Sequence, residues 1–258
     1  MCRAACVLLI GLATATIGCV GTAAAPGDAT CDPAAFRIVL DVGHSVEAGG
    51  ATSARGVPEY VFNLRLAKRA EQSLREAGFA RTFLMVTHGV GRRQLKRRAA
   101  RANELRADLL TSIHHDSVQD SYLGRWQHDG RSDRFSDRFS GYSIFISKEN
   151  ARNAESLEFA TMLGEALIGR GLTLTTHHAE DIPGERRPLV DSERGVYRYD
   201  ELVVLQQTKA PAVLLEAGVI VNRAEETALA SPERQRAIAA AVTAAVIRFC
   251  DKQAGRRP

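Results

Sequence analysis

The 258-residue chain is 45% hydrophobic and 25% charged, the balance of a folded soluble protein, and its length suits one large α/β domain or two small ones. Its formal charge of +4 is mildly basic, and much of the excess sits in RRQLKRR at 92–98. That run has no aromatic or groove-reading neighbours, which sets aside a nucleic-acid partner and leaves it as the solvated face of a helix.

In chain order, Met1-Cys2-Arg3 is followed by AACVLLIGLATATIG, about 15 residues without a charge, and then by small residues. A charged start, a short apolar core and a small-residue exit describe an export signal over 1–25, too short for the roughly 20 residues of a membrane span. Cleavage near Ala23–Ala25 would release a periplasmic or extracellular protein. TIGC at 16–19 also resembles a bacterial lipobox, in which case Cys19 would carry a lipid. Of five cysteines, only Cys31 and Cys250 lie in the body of the chain. Cys31 precedes the first strand and Cys250 ends the last helix, so in an oxidising compartment the pair could staple the termini together; two unrelated buried thiols are the other reading.

FRIVLDVG (36–43) reads as a buried strand entering a glycine-rich loop. EYVFNLRLAKRAEQSLREAG then sets Leu64, Ala67, Ala70, Leu74 and Ala77 on one helical face, and Gly78 stops it. RTFLMV (81–86) is a second strand, 92–106 a basic helix and ADLLTSIH (107–114) a third strand. Residues 118–140 break the rhythm and read as a surface insertion over the strand ends. GYSIFIS (141–147) is another strand, 152–169 a helix, 173–195 a polar stretch and 199–207 a short helix. PAVLLEAGVI (211–220) is a further buried strand, and 232–249 the last helix. The alternation predicts a single α/β domain over 31–250, with a mostly parallel, twisted central sheet flanked by helices on both faces.

Ligand sites of open α/β sheets gather beyond strand ends. His44 follows LDVG, His114 follows LLTSI, and Glu59 opens a helix that returns to the same edge. Glu216 stands inside AVLLEAGVI, where an acid is costly unless paired. Two imidazoles and a carboxylate suit one Zn²⁺ with a position left for water, and a further carboxylate can move the proton. By themselves these residues leave open the plain alternatives of hydrogen-bonded loop histidines and a helix-dipole acid at Glu59. Two neighbouring residues of a strand face opposite ways, so only one of His114 and His115 can serve such a site. His177 and His178 form another doublet, in TLTTHHAED. Glu180 and Asp181 stand near enough for a second metal site to be conceived, but the polarity of the stretch favours an exposed loop.

The segments LDVGH, GVPEYVFNLRLA, LKRRAARANELRADLLTSIH and KAPAVLLEAGVIVN, in that order, resemble the zinc-dependent N-acetylmuramoyl-L-alanine amidases of the cell-wall group over most of 36–249. The resemblance implies His44, Glu59 and His114 as ligands of one Zn²⁺ and Glu216 as the catalytic acid/base. His115 falls where the family usually has alanine, and Asp116 where asparagine is common. The implied reaction is hydrolysis of the amide between N-acetylmuramic acid and the L-alanine of peptidoglycan stem peptides, in cell-wall remodelling or cell separation. Arg194, in ERGVY, aligns loosely with a basic residue near the groove and is a candidate for a substrate carboxylate.

Departures accompany the likeness. Ser45 and Val46 replace two common glycines, and Val219 a common phenylalanine. The implied partner is peptidoglycan, with room for an activator or targeting protein. No nucleic acid is expected, the expected state is a monomer, and a membrane would be met only through a lipid on Cys19. Two other readings stay open: a non-catalytic module binding cell-wall peptides, and a zinc peptidase acting on another peptide amide.

Overall fold

The computed structural model describes residues 30–256; the expected export signal and Cys19 lie outside them. The apolar run 36–43 becomes β1 (Ile38–Val42), every residue of it buried. Chain order continues with α1 (Glu59–Glu76), β2 (Thr82–Met85), α2 (Arg92–Glu104), β3 (Leu109–Asp116), β4 (Gly124–His128) and β5 (Arg131–Phe135). It closes with β6 (Ser143–Ile146), α3 (Asn153–Ile168), β7 (Leu189–Asp191), β8 (Val196–Arg198), α4 (Val203–Gln207), β9 (Ala212–Val219), α5 (Arg223–Ala230) and α6 (Pro232–Ala254). The fold is the expected single α/β domain. Seven strands form a mostly parallel sheet in the order β2-β1-β3-β9-β6-β8-β7, in which β6 runs antiparallel to β9 and β7 to β8.

Strand alternation gives the sheet two unlike faces. Ile38, Leu40, Ile113, Val213 and Leu215 pack under α1, α3 and α6 in the main core. Val39, Leu110, Ala212 and Leu214 face the other way, in a smaller core with residues of α2 and α4. On α1 the buried stripe takes in Asn63 and Leu66 besides the expected Ala67, Ala70 and Leu74. Leu64 and Ala77 pack only partly. A disulfide joins Cys31 to Cys250, residues 219 apart in sequence, so both ends of the domain are tied at one place. No helix among the described residues is long and apolar enough to cross a membrane.

The stretch 118–140 is more ordered than a surface loop. Its centre is the antiparallel hairpin β4–β5, turning at Asp129-Gly130. The Trp126 ring stacks on His128, and its indole N–H donates to the Ala54 carbonyl at 2.7 Å. The guanidinium groups of Arg55 and Arg223 lie against the same ring. The hairpin is therefore fastened to the 44–58 loop rather than extended into solvent.

Candidate metal and catalytic centre

Loop 44–58 wraps the start of α1, which no side chain caps. Instead the backbone N–H groups of Glu59 and Tyr60 donate to the carbonyls of Ala51 and Gly49 at 2.8 and 2.9 Å. Orphan donors at a helix start need such partners, and supplying them fixes Glu59 against the loop that carries His44. The Glu59 carboxylate is buried and gathers the neighbouring groups. His44 Nε2 lies 3.0 Å from Oε2 and His114 Nδ1 lies 3.0 Å from Oε1. Asn63 and the His115 backbone N–H donate to Oε1, and the Ala51 N–H donates to Oε2.

Two glycines permit this closeness. A Cβ on Gly43 would sit 2.5 Å from the His114 ring, and one on Gly50 2.4 Å from Glu59 Oε2 and 2.6 Å from His44. Gly50 also has φ +78°, a conformation glycine adopts without steric cost. His44 itself holds φ +64°, an uncommon backbone for a residue with a side chain. Burial opposes ionisation of Glu59, but the hydrogen bonds and charges of His114 and His44 outweigh it and hold the carboxyl well below the usual range. The donor atoms of His44, Glu59 and His114 lie within 4.8 Å of one another. Two imidazoles, a carboxylate kept ionised, hydrogen bonds behind the carboxylate and a cradle that a methyl group would fill together fit a divalent cation such as Zn²⁺.

His114 lies within β3, which runs two residues further than expected, to Asp116. The opening into the site comes from the face opposite the main core. There His114 faces a cavity of about 1010 Å³ whose lining includes His44, Ser45, Arg98, Leu202 and Leu214. His115 points the other way, its ring tilted against Phe62 and its Nδ1 2.8 Å from Asn63 Oδ1. Its burial lowers its pKa to about 4, so it stands neutral behind α1. Glu216 on β9 pairs in register with His114, which places both side chains on one face. Its Oε2 is buried without a hydrogen-bond partner. Burial, reinforced by the charges of Asp116 and Glu59, raises its pKa well above the carboxylate range.

Arg98 was not legible as a site residue. Although it belongs to the basic run on α2, its side chain is only 4% exposed. It donates to Asp41 Oδ1 at 3.1 Å, to the Val42 carbonyl at 2.6 Å and to the His44 carbonyl. Asp41 accepts a second bond from Ser112 at 2.7 Å. A buried guanidinium bonded to one carboxylate and two backbone carbonyls thus locks the backbone on which His44 sits. The available signal was the acid of LDVG, which needs a partner inside an apolar strand.

Two expectations are corrected. Arg194 does not reach the site: it lines neither this cavity nor its neighbour. Its guanidinium is held by Glu165, Asp191 and Glu193 beside α3, so its charge is already matched. The doublet His177-His178 is not an exposed loop either. Both rings are buried, and they turn to Asp116 and Glu185 rather than to Glu180 or Asp181. Glu180 instead accepts from Tyr122, and Asp181 pairs with Arg186. Burial opposes protonation of His178, but Asp116 and Glu185 on either side of it raise its pKa to about 9.

Comparison with known proteins bears on the family and the fold. The family described as N-acetylmuramoyl-L-alanine amidase matches residues 38–248. N-acetylmuramoyl-L-alanine amidase AmiC of Escherichia coli O6:H1 is 23% identical over 234 residues, which cover 81% of this chain. The chain spans about half the length of that relative, 51% of it. Among solved structures, the amidase Ami1 of Mycobacterium smegmatis superposes with a TM-score of 0.64 at 20% identity, covering 85% of this chain and 98% of that one. The catalytic domain of CwlV from Bacillus (Paenibacillus) polymyxa gives 0.61 at 24% identity, covering 84% and 98%.

Proposed function

This chain belongs to the N-acetylmuramoyl-L-alanine amidase family, and on that premise we propose that it hydrolyses the amide between N-acetylmuramic acid and L-alanine in peptidoglycan stem peptides. One observation carries the reading: His44, Glu59 and His114 converge from three separate elements, and β-register sets Glu216 beside them on the same sheet face. His44, Glu59 and His114 would hold one Zn²⁺. When bound, that ion supplies Lewis-acid polarisation of a carbonyl and lowers the pKa of water.

The remaining work falls to the chain itself. Glu216 takes a proton from the attacking water and delivers it to the amide nitrogen as that nitrogen leaves as the amine of L-alanine. The buried, acid-rich surroundings that raise its proton affinity suit a group that must accept and then release a proton. Asn63 and the backbone N–H groups of Ala51 and His115 hold the Glu59 carboxylate. Arg98 holds the carbonyls of Val42 and His44, and Asn63 donates to the carbonyl of Gly43, so the loop cannot drift from the strand. The large cavity beside His114 is the place for the glycan–peptide junction.

The apolar N-terminal segment fits export to the compartment where this polymer lies, with peptidoglycan as the partner met there. Digestion of purified peptidoglycan, with products read by mass, tests the assignment. Free stem peptides with an unmodified L-alanine amino terminus, lost on chelation and restored by Zn²⁺, are expected. Products cut within the peptide would instead make it a peptidase, and intact wall bound without cleavage would make it a binding module.

A further inference from the structure

Two residues beyond His114 on the same face of β3, a second histidine–carboxylate group repeats the design of the first. We infer that Asp116, His177 and His178 form a second divalent-cation site, of the Zn²⁺ type, separate from the His44–Glu59–His114 group. His178 Nε2 lies 2.7 Å and His177 Nε2 3.3 Å from the same atom, Asp116 Oδ2. Tetrahedral Zn²⁺ with bonds of about 2.0–2.1 Å sets its ligand atoms about 3.3 Å apart, so a small adjustment admits the ion.

The outer groups are those of a metal site. The other ring nitrogen of each histidine is already held: His177 Nδ1 is 2.8 Å from Thr175 Oγ1, and His178 Nδ1 is 2.9 Å from Glu185 Oε2. Glu185 is fixed in turn by Gln119 at 2.7 Å, and Asp116 Oδ1 accepts from the Ser117 backbone N–H at 2.8 Å. These contacts orient Nε2 of both rings and Oδ2 of the acid toward one point, as hydrogen-bonded outer groups do around metal ligands.

Although 3.3 Å from Asp116 Oδ2, His177 Nε2 makes no hydrogen bond, and the residue is only 1% exposed. A buried, unsatisfied imidazole nitrogen aimed at a carboxylate is costly without a ligand. Two nitrogens and one oxygen select a borderline first-row cation over Ca²⁺ or Mg²⁺. Asp116 and His178 also line a cavity of about 310 Å³, together with Glu185 and Glu216. Glu216, whose Oε2 is unpartnered, lines that cavity and pairs in register with His114, so the second ion would set the charge around the proposed proton carrier.

Metal counting separates the two sites without reference to activity. The full protein is loaded with Zn²⁺, freed of excess by gel filtration, and its zinc per chain measured. Two equivalents are expected for the wild type. His177→Asn and His178→Asn should each retain one, and His114→Asn should also retain one, by loss of the other ion. A Co²⁺ titration of the wild type, followed by its visible absorption, should show two saturable increments whether or not the variants fold. One equivalent in the wild type, or two persisting in both His177→Asn and His178→Asn, would overturn the inference. An amidase that fails to cleave but still binds two ions would refute the function and leave the second site standing.

Discussion

The two faces of the central sheet are built from the same strands and do opposite things. Ile113, Leu215 and Ala217 look toward α1, α3 and α6 and are sealed in the main core. Their neighbours Ser112, His114, Asp116 and Glu216 look the other way, toward two cavities. Strand alternation lets one segment such as TSIHHDS carry packing and chemistry at once, one residue apart. The comparison teaches that a substitution here is read first by the parity of its position, and only then by its chemistry.

Arg98 breaks the simple form of that contrast, since it is a charged residue on the functional side with a structural duty. Arg98→Ala leaves Asp41 buried with only Ser112 as a polar partner. Removing one member of a buried pair costs about 3–5 kcal/mol, to be read from urea unfolding, and zinc affinity should fall with it. If stability stays within about 0.5 kcal/mol of the wild type, the range of an ordinary surface substitution, the pair is not the lock described above. On the sealed face, Leu215→Ala removes a fully buried side chain. A loss of about 2–5 kcal/mol is expected, with the zinc content of the folded protein unchanged. A change in metal content would show that the two faces are coupled.

Gly43→Ala is the finest probe of the contrast. It adds one methyl group 2.5 Å from the His114 ring, at a glycine whose φ is not positive. Zinc affinity should drop by about 10–100-fold, the range for disturbing a ligand's support, while the unfolding midpoint barely moves. Unaltered affinity would show that His114 has freedom the cradle does not suggest.

Much of this was legible in the sequence, and the exceptions have physical causes. The five apolar strands and the helices beginning near 59, 92, 153 and 232 announce themselves by their apolar runs and periodicity. The hairpin 124–135 does not, because its strands are polar and its anchor is a tertiary contact from Trp126 to Ala54. β7 and β8 are three residues each, and α5 is eight residues opened by an Asn222 cap; such lengths carry little pattern. The proposed metal ligands His44, Glu59 and His114 stood out through the motif around each, and the structure brings their donor atoms within 4.8 Å of one another. The doublet His177-His178 was visible, but its partner was not, because Asp116 and His178 are 62 residues apart and meet only when the 173–195 stretch folds over the strand ends. Arg98 was masked by the charged residues around it on α2.

The measurement that tests the central claim most directly is the rate at which L-alanine amino termini appear in purified peptidoglycan treated with Glu216→Gln at wild-type zinc content. The exchange keeps the side chain's shape and removes its ability to carry a proton. A rate lower by about 10²–10⁴-fold, the contribution of a general acid/base, with an unchanged unfolding midpoint, is predicted. A rate within a few-fold of the wild type would contradict the account and assign the proton to another group.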